Sequence, residues 1–158
     1  QHNIITAMSQ AHPYEEVAYD IYTLENTFQQ VGSGMIGTLP EPMNPIGFLQ
    51  FLKESIGAQV IRHTALPVHK IKKVAVCGGS GGLLLADAVR AEADVFVTAD
   101  YKYHEFFDAD GKIVIADVGH FESEQFTQEL LLEIIQKKFP TFAVRLTEIQ
   151  TNPINYYS

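Results

Sequence analysis

Cysteine occurs once, at Cys77, so an internal disulfide framework is excluded; with no signal-like segment, a reducing cytoplasm is the expected compartment. Basic residues are scarce: 11 Lys and Arg face 19 Asp and Glu, for a formal net charge of −8 and a pI near 5.1. A broad nucleic-acid surface needs clustered Lys and Arg to neutralise phosphates, and no basic face stands out. No apolar run is long enough to span a bilayer. The chain also opens on Gln1 rather than Met, which reads as a processed or truncated piece of something longer. What is present, 158 residues that are 46% hydrophobic, suffices for one ordinary core or two small ones.

The chain divides by pattern into residues 1–69 and 70–158. In the first segment, Ile4, Ile5 and Met8 recur at helical spacing up to Pro13, and Val17 to Tyr22 alternates as a strand does. Gly32 to Leu39 reads as a glycine-rich strand followed by the loop Pro40 to Pro45. Asn44 is placed to cap a helix from Ile46 to Ile56 that Gly57 closes, and Gln59 to Ala65 returns as a strand. The order α, β, β, α, β is that of a ferredoxin-like split βαβ unit without its first strand.

From Lys70 the pattern becomes strict alternation. Strands are expected at Ile71–Cys77, Asp94–Thr98, Lys112–Ala116 and Phe142–Ile149, with helices at Leu83–Ala93, Tyr101–Phe107 and Glu122–Phe139. Continuous apolar strands between helices predict an α/β lobe with a mostly parallel sheet, and such sheets bind ligands at the carboxyl ends of their strands. The loops at Gly78, Ala99 and Gly119 all leave those ends.

Each loop carries polar residues with two readings. His120 and Glu124, four apart on a strand-to-helix turn, share a helix face and make half of a nitrogen and oxygen metal site suited to zinc, manganese or iron; the alternative is a solvated first turn. In the second loop, Asp100 either caps the helix containing His104 or joins His104 beside the site, where a histidine serves as a general acid or base near neutral pH. The loop Gly78-Gly79-Ser80-Gly81-Gly82 is either a phosphate cradle or a tight turn; it lacks the Lys of a Walker loop and the dinucleotide spacing. Cys77, at a strand end, reads as a small core residue.

Together, Cys77-Gly78-Gly79-Ser80-Gly81, Thr98-Ala99-Asp100-Tyr101-Lys102-Tyr103-His104 and Asp117-Val118-Gly119-His120 through Ser123-Glu124 resemble, in order and spacing, the GTP cyclohydrolase 1 type 2 homolog family of Nif-three-like proteins. Ala11 to Asp20 is similar to the opening of the PII/CutA-like domain inserted in longer members. The resemblance implies two divalent metals (Zn, Mn or Fe) per full-length subunit with a bridging water, hydrolysis of a nucleotide-like or phosphate substrate, and ring hexamers whose inserted domains meet in trimers. By motif, His120 and Glu124 match two metal ligands, and His104 a histidine near the site. The family's tandem His pair has no counterpart here, since no His-His dipeptide occurs. The chain alone is therefore expected to bind metal weakly or not at all, to be inactive, and to self-associate as a trimer or hexamer through exposed apolar surface. Two other functions fit the same residues: a regulatory or scaffold module whose inserted domain oligomerises and senses a small molecule, and a phosphate-ester binder using the Gly78 to Gly82 loop without chemistry.

Overall fold

The computed structural model describes residues 2–22 and 31–157. The chain forms two compact units, Gln1–Val31 and Gly32–Ser158. In the first unit, α1 (His2–Ala11) fits the helical spacing of Ile4, Ile5 and Met8. The strand expected at Val17 to Tyr22 does not form; alternation alone supplies no hydrogen-bond partner, and a strand needs one.

The second unit is mixed α/β. Its five-stranded sheet runs β1 (Met35–Met43), β3 (Ile71–Val76), β4 (Val95–Thr98), β5 (Val114–Asp117), β2 (Arg62–His63) in spatial order. The central pairs β3 with β4 and β4 with β5 are parallel, and both edge strands are antiparallel. β1 and β2 thus enter the sheet from opposite sides and pair with β3 and β5, not with each other. A ferredoxin-like unit over residues 1–69 would need them to share a local sheet; the stretch 35–63 is instead built into the sheet of the following residues. Pattern along the chain reports local structure, whereas strand partners are chosen by contacts distant in sequence.

α2 (Pro45–Ile56) forms as its sequence predicts. The Asn44 side chain accepts from Gly47 N at 2.7 Å, Pro45 occupies the first turn, and Gly57 closes the helix with a left-handed φ of 65°. Phe48 and Leu52 on its inner face pack with Ile71, Val95, Val97, Val114, Ala116 and Val118 on one side of the sheet. On the other side, Ala75, Phe96 and Ile115 pack with Leu85 and Ala88 of α3 (Leu85–Arg90), and with Tyr101 and Ala109. Covered on both faces, β4 and β5 are buried at every residue.

Five further expectations are corrected. The Pro40 to Pro45 loop is shortened, because β1 continues through Pro40 and Pro42 to Met43; as an edge strand it tolerates prolines that cannot donate. The helices expected at 83–93 and 101–107 are a 3₁₀ turn at Gly82–Leu84 leading into α3, and a 3₁₀ segment at Tyr103–Ala109. The long helix expected over 122–139 breaks into α4 (His120–Glu124) and α5 (Thr127–Lys138). At the break, the Gln125 side chain donates to the carbonyls of Ile56 at 2.8 Å and Glu122 at 3.1 Å, fastening the turn to the end of α2. The strand expected at Phe142 to Ile149 is absent: that stretch pairs with neither edge strand of the sheet, and apolar content by itself supplies no hydrogen-bond partner.

Candidate metal centre

The carboxyl ends of β3, β4 and β5 bring together the three polar loops. The β5 loop turns at Gly119, whose φ of 93° suits glycine; a Cβ there would collide with the Glu122 carboxylate. His120 follows as the first residue of α4, with Glu124 one turn later on the same face.

His120 is gripped at both ring nitrogens. Nδ1 lies 2.6 Å from Asp100 Oδ2, and Nε2 lies 3.3 Å from Glu124 Oε2. A carboxylate only accepts, so Nδ1–H donates to Asp100, and the neutral ring then turns its Nε2 lone pair toward a second carboxylate. That pairing of lone pairs is strengthened by something positive between or beside them, a proton or a cation. The hydrogen bond to Asp100 foremost, against some desolvation, with the charges of Asp100 and Glu124 adding to it, holds the His120 pKa above its usual value. Asp100 itself sits in left-handed backbone at φ 60°, unusual for a non-glycine residue.

The glycine-rich loop packs directly on this pair. Gly79 has φ 62°, and a Cβ at that position would lie 2.5 Å from Glu124 Oε1 and 3.2 Å from His120 Cε1. Its amide donates to Ser123 Oγ at 2.8 Å, while Ser123 Oγ donates to the His120 carbonyl at 2.8 Å. Its carbonyl accepts from Ala99 N at 2.9 Å and Thr98 Oγ1 at 3.0 Å. Of the sequence-predicted residues, Gly78, Gly79, His120 and Glu124 therefore meet. Gly78 abuts the Glu124 side chain, and exposed Ser80 lines a cleft with Asp100 and Lys102. His104 stands apart: it is exposed on the 3₁₀ segment with its ring edge-on to Tyr103, and among the described residues no hydrogen bond or ion pair links it to His120 or Glu124.

Beneath the pair lies a residue to which the sequence reading gave no role. Asp117, 4% exposed, accepts from Tyr101 N at 3.0 Å and Gly119 N at 3.1 Å, and is paired with the Arg62 guanidinium. An acidic residue ending an otherwise apolar strand was the available signal; Arg62, on another strand, gave none. The neighbouring Tyr101 hydroxyl is buried and has no hydrogen-bond partner among the described residues. Burial first, then the charges of Glu105, Asp108 and Asp117, push its pKa up to about 12, so it does not exchange protons near neutrality.

The family assignment follows from comparison with known proteins. The family described as Duf34/NIF3 (NGG1p interacting factor 3) matches residues 4–153. The chain belongs to the Duf34/NIF3 family. Relatives named "GTP cyclohydrolase 1 type 2 homolog" are 37% identical in Bacillus subtilis, over 97% of this chain and 42% of the relative, and 34% identical in Mycobacterium leprae, over 96% and 41%. A Bacillus cereus protein related to NIF3 has a similar structure, with a TM-score of 0.70 at 36% identity over 99% of this chain and 44% of that one. A Staphylococcus aureus protein gives 0.75 at 27% identity over 99% and 46%. The chain thus spans less than half the length of the relatives it matches. Among its described residues, no group of three or more His, Cys, Asp or Glu side chains could hold a metal ion; His120 and Glu124 are two donors, with Asp100 on the opposite ring nitrogen. Nitrogen and oxygen donors of this kind are what part of a divalent-metal site would need, with the Asp100 carboxylate behind the His120 ring.

Proposed function

We propose that His120 and Glu124 are this chain's share of a divalent-metal site, and that the complete protein uses the site to hydrolyse a nucleotide-like or phosphate substrate. The observation that carries the reading is the orientation of the His120 ring: Asp100 occupies Nδ1, leaving Nε2 aimed at Glu124 Oε2. Zinc, manganese or iron suits such a nitrogen and oxygen pair. His120 and Glu124 would hold part of the coordination of a divalent cation, whose chemistry when bound would be to polarise a phosphoryl or carbonyl oxygen and ease deprotonation of water. The chain's own residues hold the proton on Nδ1 through Asp100, supply the second donor through Glu124, and bring the Gly78 to Ser80 backbone against the site, where an anionic substrate group can approach. The remaining donors come from the part of the relatives' length that this chain does not span. The name of those relatives, GTP cyclohydrolase 1 type 2 homolog, agrees with a nucleotide-like substrate.

The test is a zinc titration of the 158-residue chain followed by the NMR resonances of the His120 ring. Two donors give weak, saturable binding that moves those resonances and disappears in both His120→Ala and Glu124→Gln. A His120 ring indifferent to millimolar zinc, or binding that survives His120→Ala, overturns the assignment.

A further inference from the structure

We propose that Asp117, held by Arg62, is the positioning residue of this site: it sets the two loops that carry Asp100 and His120 so that the His120 ring presents Nε2 to Glu124. Asp100 and His120 are 20 positions apart and come from different strands, so their 2.6 Å contact depends on how the β4 and β5 loops are held relative to each other. Asp117 bridges those loops through one residue on each. Its Oδ2 takes the amide of Tyr101, which directly follows Asp100, and its Oδ1 takes the amide of Gly119, which directly precedes His120.

The third partner closes the device. Arg62, on β2, donates to Asp117 Oδ2 and, from the same nitrogen, to the Tyr101 carbonyl at 2.9 Å. The Tyr101 backbone is therefore held at both its amide and its carbonyl, on the peptide groups either side of its Cα. Arg62 also lies over the Phe106 ring, 5.4 Å from its centroid, which fixes the guanidinium in place. A buried carboxylate is a poor choice for stability alone, since an apolar pair of similar volume often does as well. What an apolar pair lacks is two acceptor oxygens aimed at two separate backbone amides. Arg62, Asp100, Asp117, Gly119, His120 and Tyr156 line one hollow of about 240 Å³, so the clamp and the ring it sets share a single space.

The two readouts separate this inference from the metal reading on which it partly rests. The first uses metal-free protein at alkaline pH, where the neutral imidazole reports its tautomer through the ¹⁵N shifts of its ring. Wild-type protein should show the proton on Nδ1. Asp117→Asn replaces one acceptor with a donor facing a backbone amide, and Arg62→Met removes the guanidinium from a largely exposed side chain without emptying the core. Both should shift His120 toward a mixture of tautomers, with Arg62→Lys recovering part of the wild-type signal. The second readout is zinc affinity, which should fall roughly tenfold or more in the same variants, as for other residues that orient metal ligands. Asp94→Ala, far from the site and expected to lower the unfolding temperature, should leave both readouts alone. An unchanged tautomer in Asp117→Asn and Arg62→Met overturns the inference even if zinc binds as proposed, and so does a tautomer shift that Asp94→Ala reproduces. A shifted tautomer with zinc affinity independent of His120 supports the positioning role and sinks only the metal reading.

Discussion

β5 and α5 both carry apolar side chains, with opposite fates. Every residue of β5 is buried, Ile115 completely. No residue of α5 is buried: Leu130, Leu131 and Ile134 are each more than half exposed, with Phe126 and Phe139 open at its ends. Apolar spacing therefore tells which face seeks cover, not whether cover exists. β5 has neighbours on both flanks and a helix layer above it, because the sheet collects strands from across the chain. α5 follows the last strand of the sheet, and among the described residues no later strand or helix forms.

Deleting apolar atoms should separate the two regions most sharply. Ile115→Ala should destabilise the protein by about 2–5 kcal/mol in chemical denaturation, the usual range for a fully buried site that cannot collapse. A loss under about 1 kcal/mol would mean that the buried strand is as loosely packed as the helix.

Asp94 makes an intermediate case, a polar residue at the start of β4 rather than in its core. Its carboxylate accepts from Lys72 N and Lys73 N, both at 2.8 Å, and pairs with His69 at 3.2 Å. Partial burial pushes its pKa up, but the backbone donors Lys73 and Lys72, with His69, outweigh it and the net shift is downward. Asp94→Ala should cost about 1–2 kcal/mol at neutral pH. A depressed folded pKa contributes stability that is present above the unfolded value of about 3.9 and lost as pH falls through the folded value. The gap between wild type and variant should therefore narrow in acid, below about pH 4. A gap that widens there contradicts the sign.

The smallest effect is expected on α5. Leu130→Ser combined with Ile134→Ser should change unfolding stability by less than about 0.5 kcal/mol, because little is buried to lose. A cost above about 1 kcal/mol, measured at a dilution where the chain is monomeric, would show the helix packed in solution and erase the contrast with β5.

Much of the site was legible because its signals are local. His120 and Glu124 declared themselves by a four-residue spacing after a glycine, and Gly79 by a turn that suits left-handed backbone. The capped helix Pro45–Ile56 was equally plain, since Asn44, Pro45 and Gly57 act within one turn of its ends. Asp100 reads either as a helix cap or as a group beside His120 and Glu124, and its contact with the ring 20 positions away falls to the second reading. Asp117 and Arg62, 55 positions apart, lay beyond any periodicity.

The sequence by itself determined the central strands β3, β4 and β5, where the loops bearing ionisable groups leave them, and the family to which the motifs belong. Those follow from side-chain period, turn chemistry and apolar content, which act over a few residues. Only the tertiary structure decided that β1 and β2 border the sheet from opposite sides, that the stretch at 142–149 stays outside the sheet, and that Asp117 ties the Asp100 loop to the His120 loop. Backbone donors and acceptors are alike at every residue, so which of them meet is settled by how the distant strands pack.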